Sequence, residues 1–259
     1  MPDDAMRHPA TGTGQQNAGP PQRKRFYTRA EAAALEDRFA VLLDGKPVLT
    51  PAKERLALPT LASAEAVAAE WGAQTEKIDP TTLPLTRILN AALDGVAKTM
   101  NEVVTEIVKY ASSDLVCYRA GEPASLVKAQ ADAWDPILAF IEVDTGARFI
   151  CAEGIVHVAQ PETSLAAIRA RIDQMVTMDA GGAVALACLD VMTTLTGSAL
   201  IAITLASNAI TLEQAWAAAH VDEDFQMRLW GTDTEAMARR AQRYTEMEAA
   251  ERLWRLVQG

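Results

Sequence analysis

The first part of the chain alternates short apolar runs with turn residues, which is typical of a small antiparallel sheet. Residues 39–43 and 46–49 flank an Asp-Gly dipeptide, and this arrangement favours a tight hairpin. Pro47 cannot donate a backbone hydrogen bond, so the second strand is predicted at a sheet edge. Residues 55–58 are predicted as a further strand.

Beyond residue 59, apolar positions recur at helical spacing, and capping residues mark where the helices begin. Helices are predicted over residues 60–74, 82–95, 100–112, 123–142, 164–178 and 232–257. Residues 148–158 have strand character on both sides of a Glu-Gly turn, which predicts a second small hairpin.

Residues 181–206 form a long apolar stretch with one charged residue, Asp190. Its length is compatible with a membrane span, which needs about 20 apolar residues. Gly197 and Ser198 interrupt it, however, and its ends lack the basic clusters and aromatic anchors of a span. We favour two buried helices that meet near Gly197 over the membrane-associated alternative.

Together these patterns predict an α+β fold. We expect a disordered tail over residues 1–21, which are polar and rich in Gly, Gln, Thr and Pro. A small antiparallel β-rich domain is expected over residues 22–80. A larger, mainly helical, orthogonal bundle-like domain is expected over residues 81–259.

Residues 211–230 are predicted to form one helix that begins at a capping box of Thr211 and Gln214 and ends at Gly231. At about 100° per residue, Glu223 falls in the middle of an apolar stripe. The stripe consists of Leu212, Trp216, Ala219, Met227 and Trp230. A carboxylate in such a place is paired in a structural ion pair, protonated, exposed at a helix end where the stripe reaches solvent, or exposed where a partner binds. Asp222 and Asp224 are interpreted as solvated charge.

Arg87, Asn90 and Asp94 share one face of the predicted helix over residues 82–95. The spacing is that of a solvated face with a surface salt bridge. It also fits a polar patch that contacts a partner. The spacing alone leaves both interpretations open.

The formal net charge of -10 argues against a general nucleic-acid or anionic-membrane binder, because such proteins carry a basic face. Cys117, Cys151 and Cys188 are far apart and suggest neither a disulfide framework nor a metal site. The N-terminus lacks both an apolar signal core and an Arg-rich transit pattern. We therefore expect a protein of a bacterial cytoplasm.

The sequence carries few signs of catalysis. It has no Walker-type phosphate loop, no G-x-G-x-x-G after a strand and no G-x-S-x-G nucleophile motif. The scattered histidines make no metal site, so neither a metal nor a cofactor is predicted. His220 and Glu223 lie about 60° apart on the predicted helix and could form an acid–base pair. A small-molecule enzyme that uses this pair is kept as the alternative to a binding protein.

Several stretches, taken in their order along the chain, resemble one known family. They are the hairpin region 39–59, PLTRILNAALDG at 84–95, DLVCYRA at 114–120 with Gln130 and Trp134, and DEDFQ at 222–226 with Trp230 and Gly231. The chain resembles the assembly chaperones of the ATP synthase catalytic sector that act on its α subunit. Members occur in mitochondria and alphaproteobacteria. The resemblance runs from about Arg25 to the C-terminus.

The resemblance implies a small α/β part followed by a helical part, and no catalysis. It implies binding of the free ATP synthase α subunit, protection of that subunit from aggregation, and release when the β subunit arrives. The functional acidic residue of the family matches Glu223 here, although Asp222 and Asp224 leave the register slightly open. The expected partner-binding residues are Glu223, Asp222, Asp224, Trp216, Met227, Trp230, Arg87, Asn90 and Asp94. Eukaryotic relatives are expected in the mitochondrial matrix.

Overall fold

The structure is a computed structural model, and it describes residues 23–154, 156–177 and 179–259. The tail expected over residues 1–21 lies outside this part of the chain. The described residues have an α+β fold, with short antiparallel strands first and a mostly helical part after them. The predicted fold class is therefore confirmed.

The N-terminal sheet is built around one central strand. Its strands are β2 (Ala30–Leu35), β3 (Arg38–Leu43), β4 (Lys46–Pro47) and β5 (Ala57–Leu58), and each of the others pairs antiparallel with β3. Asp44 and Gly45 join β3 to β4 with φ angles of 47° and 77°. Both angles are positive, as a tight two-residue turn requires, so the predicted hairpin is confirmed. A separate antiparallel pair joins β1 (Arg23–Lys24) to β6 (Lys77–Ile78).

The helices follow this sheet and make most of the core. Those present among the described residues are α1 (Leu61–Gly72), α2 (Pro84–Asp94), α3 (Met100–Ser112), α4 (Ala124–Thr145), α5 (Glu162–Met175), α6 (Ala180–Thr196), α7 (Ala199–Ala206), α8 (Leu212–Ala219), α9 (Val221–Trp230) and α10 (Thr234–Gln258). Helix α1 packs on β2 and β3, while α6 contacts α2, α3, α7 and α10. The apolar α6 thus lies at the centre of the helical part.

The apolar stretch over residues 181–206 forms two helices, as predicted. Gly197 ends α6 with a φ of 68°, and the Ser198 side chain caps the first turn of α7. Every residue of α7 is buried. Among the helices that the structure describes, none combines the length and hydropathy needed to cross a lipid bilayer.

Asp114 connects the link before α4 to the start of α7. Its fully buried carboxylate accepts hydrogen bonds from the Ser198 hydroxyl and from the backbone N–H of Leu200, at 2.5 and 3.1 Å. Burial raises the pKa of Asp114 to about 6, although these hydrogen bonds act in the opposite direction. The carboxyl group therefore fixes α7 from a distant part of the chain.

The hairpin predicted over residues 148–158 is wrong for the residues that the structure describes there. The one strand in this segment is β8 (Ala152–Glu153), and it pairs parallel with β7 (Tyr118–Arg119). The Gln160 side chain accepts from the N–H of Ile150 and donates to its carbonyl, both at 2.8 Å. A side chain thus satisfies the backbone groups that a hairpin partner would have used.

We predict that replacing Asp114 with alanine lowers the free energy of unfolding by about 3 kcal/mol, because buried donors lose their acceptor. Urea unfolding followed by circular dichroism measures this loss. The raised pKa means that protonated Asp114 stabilises the fold at low pH, and that this stabilisation is lost as the pH rises through about 6. The difference between wild type and variant should therefore grow as the pH is lowered from 7 to 5.

Asp132 provides the matched control. It is an exposed aspartate that pairs with Lys128 one turn away on α4. Its replacement with alanine should cost at most about 0.5 kcal/mol, as expected for an exposed i, i+4 pair. Equal losses in the two variants would contradict the role assigned to Asp114.

Candidate functional site

The helix predicted over residues 211–230 is interrupted at His220, so the prediction of one continuous helix is wrong. The capping box of Thr211 and Gln214 is present, but α8 ends at Ala219 and α9 begins at Val221. His220 has φ and ψ angles of -122° and 20°, outside the helical range.

Side-chain packing accompanies this break. The His220 Nδ1–H donates to the carbonyl of Trp216 at 2.8 Å, and the two rings lie 4.1 Å apart. The Trp216 ring also packs edge-to-face on Tyr244, with centroids 5.3 Å apart. Both Trp216 and His220 are buried. The stripe deduced for a single helix therefore does not continue through His220, and Trp216 belongs to the core.

Within α9, part of the predicted surface remains. Glu223, Met227 and Trp230 follow one another at i, i+4 and i+7, so they share one face of this helix. The Trp230 side chain is 83% exposed and Met227 is partly buried. Leu229 and Met237 are also exposed, just before and after the link between α9 and α10. Leu229 lies about 120° from Glu223 around the helix, so we call Glu223, Met227 and Trp230 the α9 surface.

The three consecutive carboxylates at the start of α9 have different surroundings. Asp222 accepts a hydrogen bond of 2.7 Å from Gln130, and Asp224 forms an ion pair with Arg240 of α10. The interpretation as solvated charge is wrong for Asp224, which is half-buried against Arg240, whereas Asp222 stays exposed while it accepts from Gln130. The Glu223 side chain is 64% exposed, and among the described residues one basic side chain lies within 4 Å of its carboxylate, His220 at 3.9 Å, which is charged only when protonated.

Helix α4 holds α8 and α9 in place through two buried side chains. The Gln130 amide accepts from the N–H of Ala120 and donates to Asp222, with both distances 2.7 Å. The Trp134 Nε1–H donates to the carbonyl of Ala218, also at 2.7 Å. These contacts fix the backbone that carries Glu223, although Glu223 itself takes no part in them.

The polar trio of α2 makes contacts within the chain. Arg87 pairs with Glu246 of α10 at 2.8 Å. Asp94 accepts from the Thr50 hydroxyl at 2.5 Å and from the N–H of Ala52 at 3.0 Å, which connects α2 to the loop after β4. The Oδ1 atom of Asn90 is buried and has no hydrogen-bond partner among the described residues. Arg87 and Asp94 thus join α2 to its neighbours.

The pair of His220 and Glu223 lacks the geometry of an acid–base site. The 3.9 Å between Nε2 and Oε2 exceeds hydrogen-bond distance. Burial lowers the pKa of His220, and the contact with the Trp216 carbonyl only partly offsets this effect. A cleft of about 370 Å³ between α4, α8 and α9 is lined by apolar residues such as Ile137 and Val221, and by neither His220 nor Glu223. No group of three potential metal ligands occurs among the described residues.

An exposed, mixed acidic and apolar surface on a firmly held helix is typical of a protein that binds another macromolecule. Comparison with known proteins shows which family of binding proteins this is. Residues 24–142 match the ATP12 chaperone protein family.

Solved structures cover more of the chain. Atu1473 of Agrobacterium tumefaciens, described as a candidate chaperone, is 44% identical with a TM-score of 0.86, over 91% of this chain and 86% of that one. Atp12 of Paracoccus denitrificans is 36% identical with a TM-score of 0.83, over 91% and 98% of the two chains. An aspartate-to-lysine mutant of the Paracoccus protein matches equally well in fold, at 35% identity. The chain therefore belongs to the ATP12 chaperone family.

We predict that His220 makes the fold sensitive to acid. Its pKa is lowered from the ordinary 6.5 by burial, so the unfolded chain binds the proton more readily than the folded chain. The stability that neutral His220 provides is full above about pH 6.5 and is lost as the pH falls below this value. A His220→Asn variant should therefore lose less stability than wild type between pH 7 and 5, as measured by urea midpoints.

The exposed His157 serves as the control for this measurement. A His157→Asn variant should retain the wild-type loss of stability over the same pH range. If the stabilities of wild type and His220→Asn fall equally between pH 7 and 5, His220 is not the cause of the acid sensitivity.

Proposed function

We propose that this protein is an assembly chaperone of the ATP synthase catalytic sector and that it binds the free α subunit. The proposal rests on one observation above all. Glu223 remains exposed on the same face of α9 as Trp230, while the two neighbouring aspartates are bound by Gln130 and Arg240. Membership of the ATP12 chaperone family supports it.

The chemistry of the α9 surface suits a temporary holder of an unassembled subunit. Such a subunit exposes apolar surface that its neighbour will later cover, and exposed surface of this kind aggregates. Trp230 and the partly buried Met227 offer apolar area, and aromatic side chains are frequent binding anchors. Glu223 adds a charge that a basic group can recognise. A contact of this mixed kind is compatible with release when the β subunit arrives.

Within this proposal, the expected contact residues divide into two groups. Glu223, Met227 and Trp230 contact the partner directly, and Asp222 and Asp224 lie at the margin while they anchor α9. Trp216, Arg87 and Asp94 support the structure through burial or internal contacts. Asn90 shares α2 with Arg87 and Asp94, is half-buried, and has an Oδ1 without a hydrogen-bond partner among the described residues. We place the protein in a bacterial cytoplasm, and retain the division at residue 80 as part of the proposal.

The alternative of a small-molecule enzyme has no support from the geometry. His220 is buried, its Nδ1–H is used by Trp216, and the neighbouring cleft includes neither member of the pair. The chaperone proposal needs no such pocket.

We predict selective capture of one ATP synthase subunit. Immobilised chain should retain separately expressed α subunit, but not β subunit, because the α9 surface takes the place of the β neighbour. Light scattering of diluted α subunit should also fall when the chain is present. Equal retention of both subunits, or of neither, would contradict the proposal that the chain binds the α subunit selectively.

We predict that Glu223→Lys weakens binding of the α subunit about tenfold or more, because a like charge then faces the basic group of the partner. Biolayer interferometry measures the dissociation constant, and circular dichroism verifies the fold. Glu65, an exposed glutamate of α1, is the matched position. Glu65→Lys should bind as wild type does, whereas equal affinities for all three chains would exclude Glu223 from the contact.

A further inference from the structure

The fold brings together two cysteines that are distant in the sequence. Cys117 directly precedes β7 and Cys151 directly precedes β8. These strands pair in parallel, with Tyr118 opposite Ala152 and Arg119 opposite Glu153. Cys117 ends the short 3₁₀ turn Leu115–Cys117, and it therefore lies beside Cys151 at the point where the two parallel strands begin. Neighbouring strands lie about 4.8 Å apart, which falls within the Cα separation of about 4.4–6.8 Å that a disulfide requires.

The side chain of Cys151 acts on the Cys117 thiol, as expected for two thiols that lie close together. Burial raises the pKa of the Cys117 thiol most strongly, and the charge of Asp114 raises it further. The Cys151 side chain is the next cause of the raised pKa. Both cysteines are free thiols in the structure, Cys117 buried and Cys151 exposed.

We propose that Cys117 and Cys151 form a redox-active dithiol site that a low-molecular-weight disulfide, such as oxidised glutathione, converts to an intramolecular disulfide. The Cys151 thiolate attacks the glutathione disulfide, and a mixed disulfide forms as one glutathione thiolate leaves. The Cys117 sulfur then attacks the Cys151 sulfur and gives its proton to the second glutathione, which leaves as a thiol. Two protein thiols are oxidised, and one glutathione disulfide is reduced to two thiols.

The exposures of the two cysteines determine the order of these steps. Only Cys151 is open to a reagent in solution, so it reacts first and Cys117 resolves the mixed disulfide from inside. The raised pKa of Cys117 makes the second step slow, because the thiolate is the attacking form. Cys188 is buried in α6 and serves as an internal reference thiol.

The disulfide would constrain a segment that supports the candidate functional site. It would tie β7, after α3, to β8, after α4. Strand β7 leads into Ala120, whose N–H donates to Gln130, and Gln130 in turn holds Asp222. Since the bond closes a long loop, the oxidised chain should unfold about 5–10 °C above the reduced chain.

The test exposes the full chain to oxidised glutathione under native conditions, with iodoacetamide quenching and mass spectrometry of peptides. Wild type and Cys188→Ala should both yield a peptide pair linked through Cys117 and Cys151, with dithiothreitol reversing the link. Cys151→Ser should yield no link and no glutathione adduct on Cys117. Cys117→Ala should retain glutathione on Cys151, with circular dichroism verifying that this core variant folds.

Two results would overturn the proposal. One is a stable glutathione adduct on Cys151 of wild type, with no link to Cys117 after prolonged incubation. The other is a linked product that contains Cys188, or that joins two chains rather than one. The test depends on the disulfide-linked peptides of the wild-type protein, so it decides the proposal even if the Cys117 variant misfolds.

Discussion

The candidate site depends on the hydrogen bonds that Gln130 and Trp134 of α4 form with the two short helices α8 and α9. Gln130 is almost fully buried, and a buried amide is costly unless its donors and acceptor are satisfied. It is satisfied by Ala120 on one side and Asp222 on the other. Arg240 binds Asp224 in a similar way from α10. Two of three adjacent carboxylates thus maintain the structure, and the third remains exposed.

The central helices α6 and α7 explain why such a surface can exist at the edge of the fold. Most of their residues are apolar and buried, so the surrounding helices must cover them. Helix α9 is different, because Phe225 is its only buried residue. A peripheral helix that buries few of its own residues and is also held by a hydrogen bond and an ion pair can present apolar side chains to a partner without exposing the core. This arrangement suits a member of a chaperone family.

The sequence by itself determined the elements whose signals are local. The Asp-Gly turn produces the β3–β4 hairpin, because both residues take positive φ angles that few other pairs accept. Gly197 separates α6 from α7 for a similar reason, and Thr211 with Gln214 starts α8 through a capping box. The family is also indicated by the sequence alone, through the resemblance of several short stretches in their order along the chain. Each of these signals spans only a few residues.

Only the tertiary structure decided the features that depend on distant residues. Tyr244 packs on Trp216, which in turn stacks on His220 at the break that divides the predicted helix. Gln130 lies 92 positions from the aspartate that it binds, so no periodicity along α9 could separate Asp222 from Glu223. Cys117 and Cys151 likewise come close only because β7 pairs with β8. A helical wheel records angles within one helix, whereas burial and pairing depend on which other elements the fold brings alongside it.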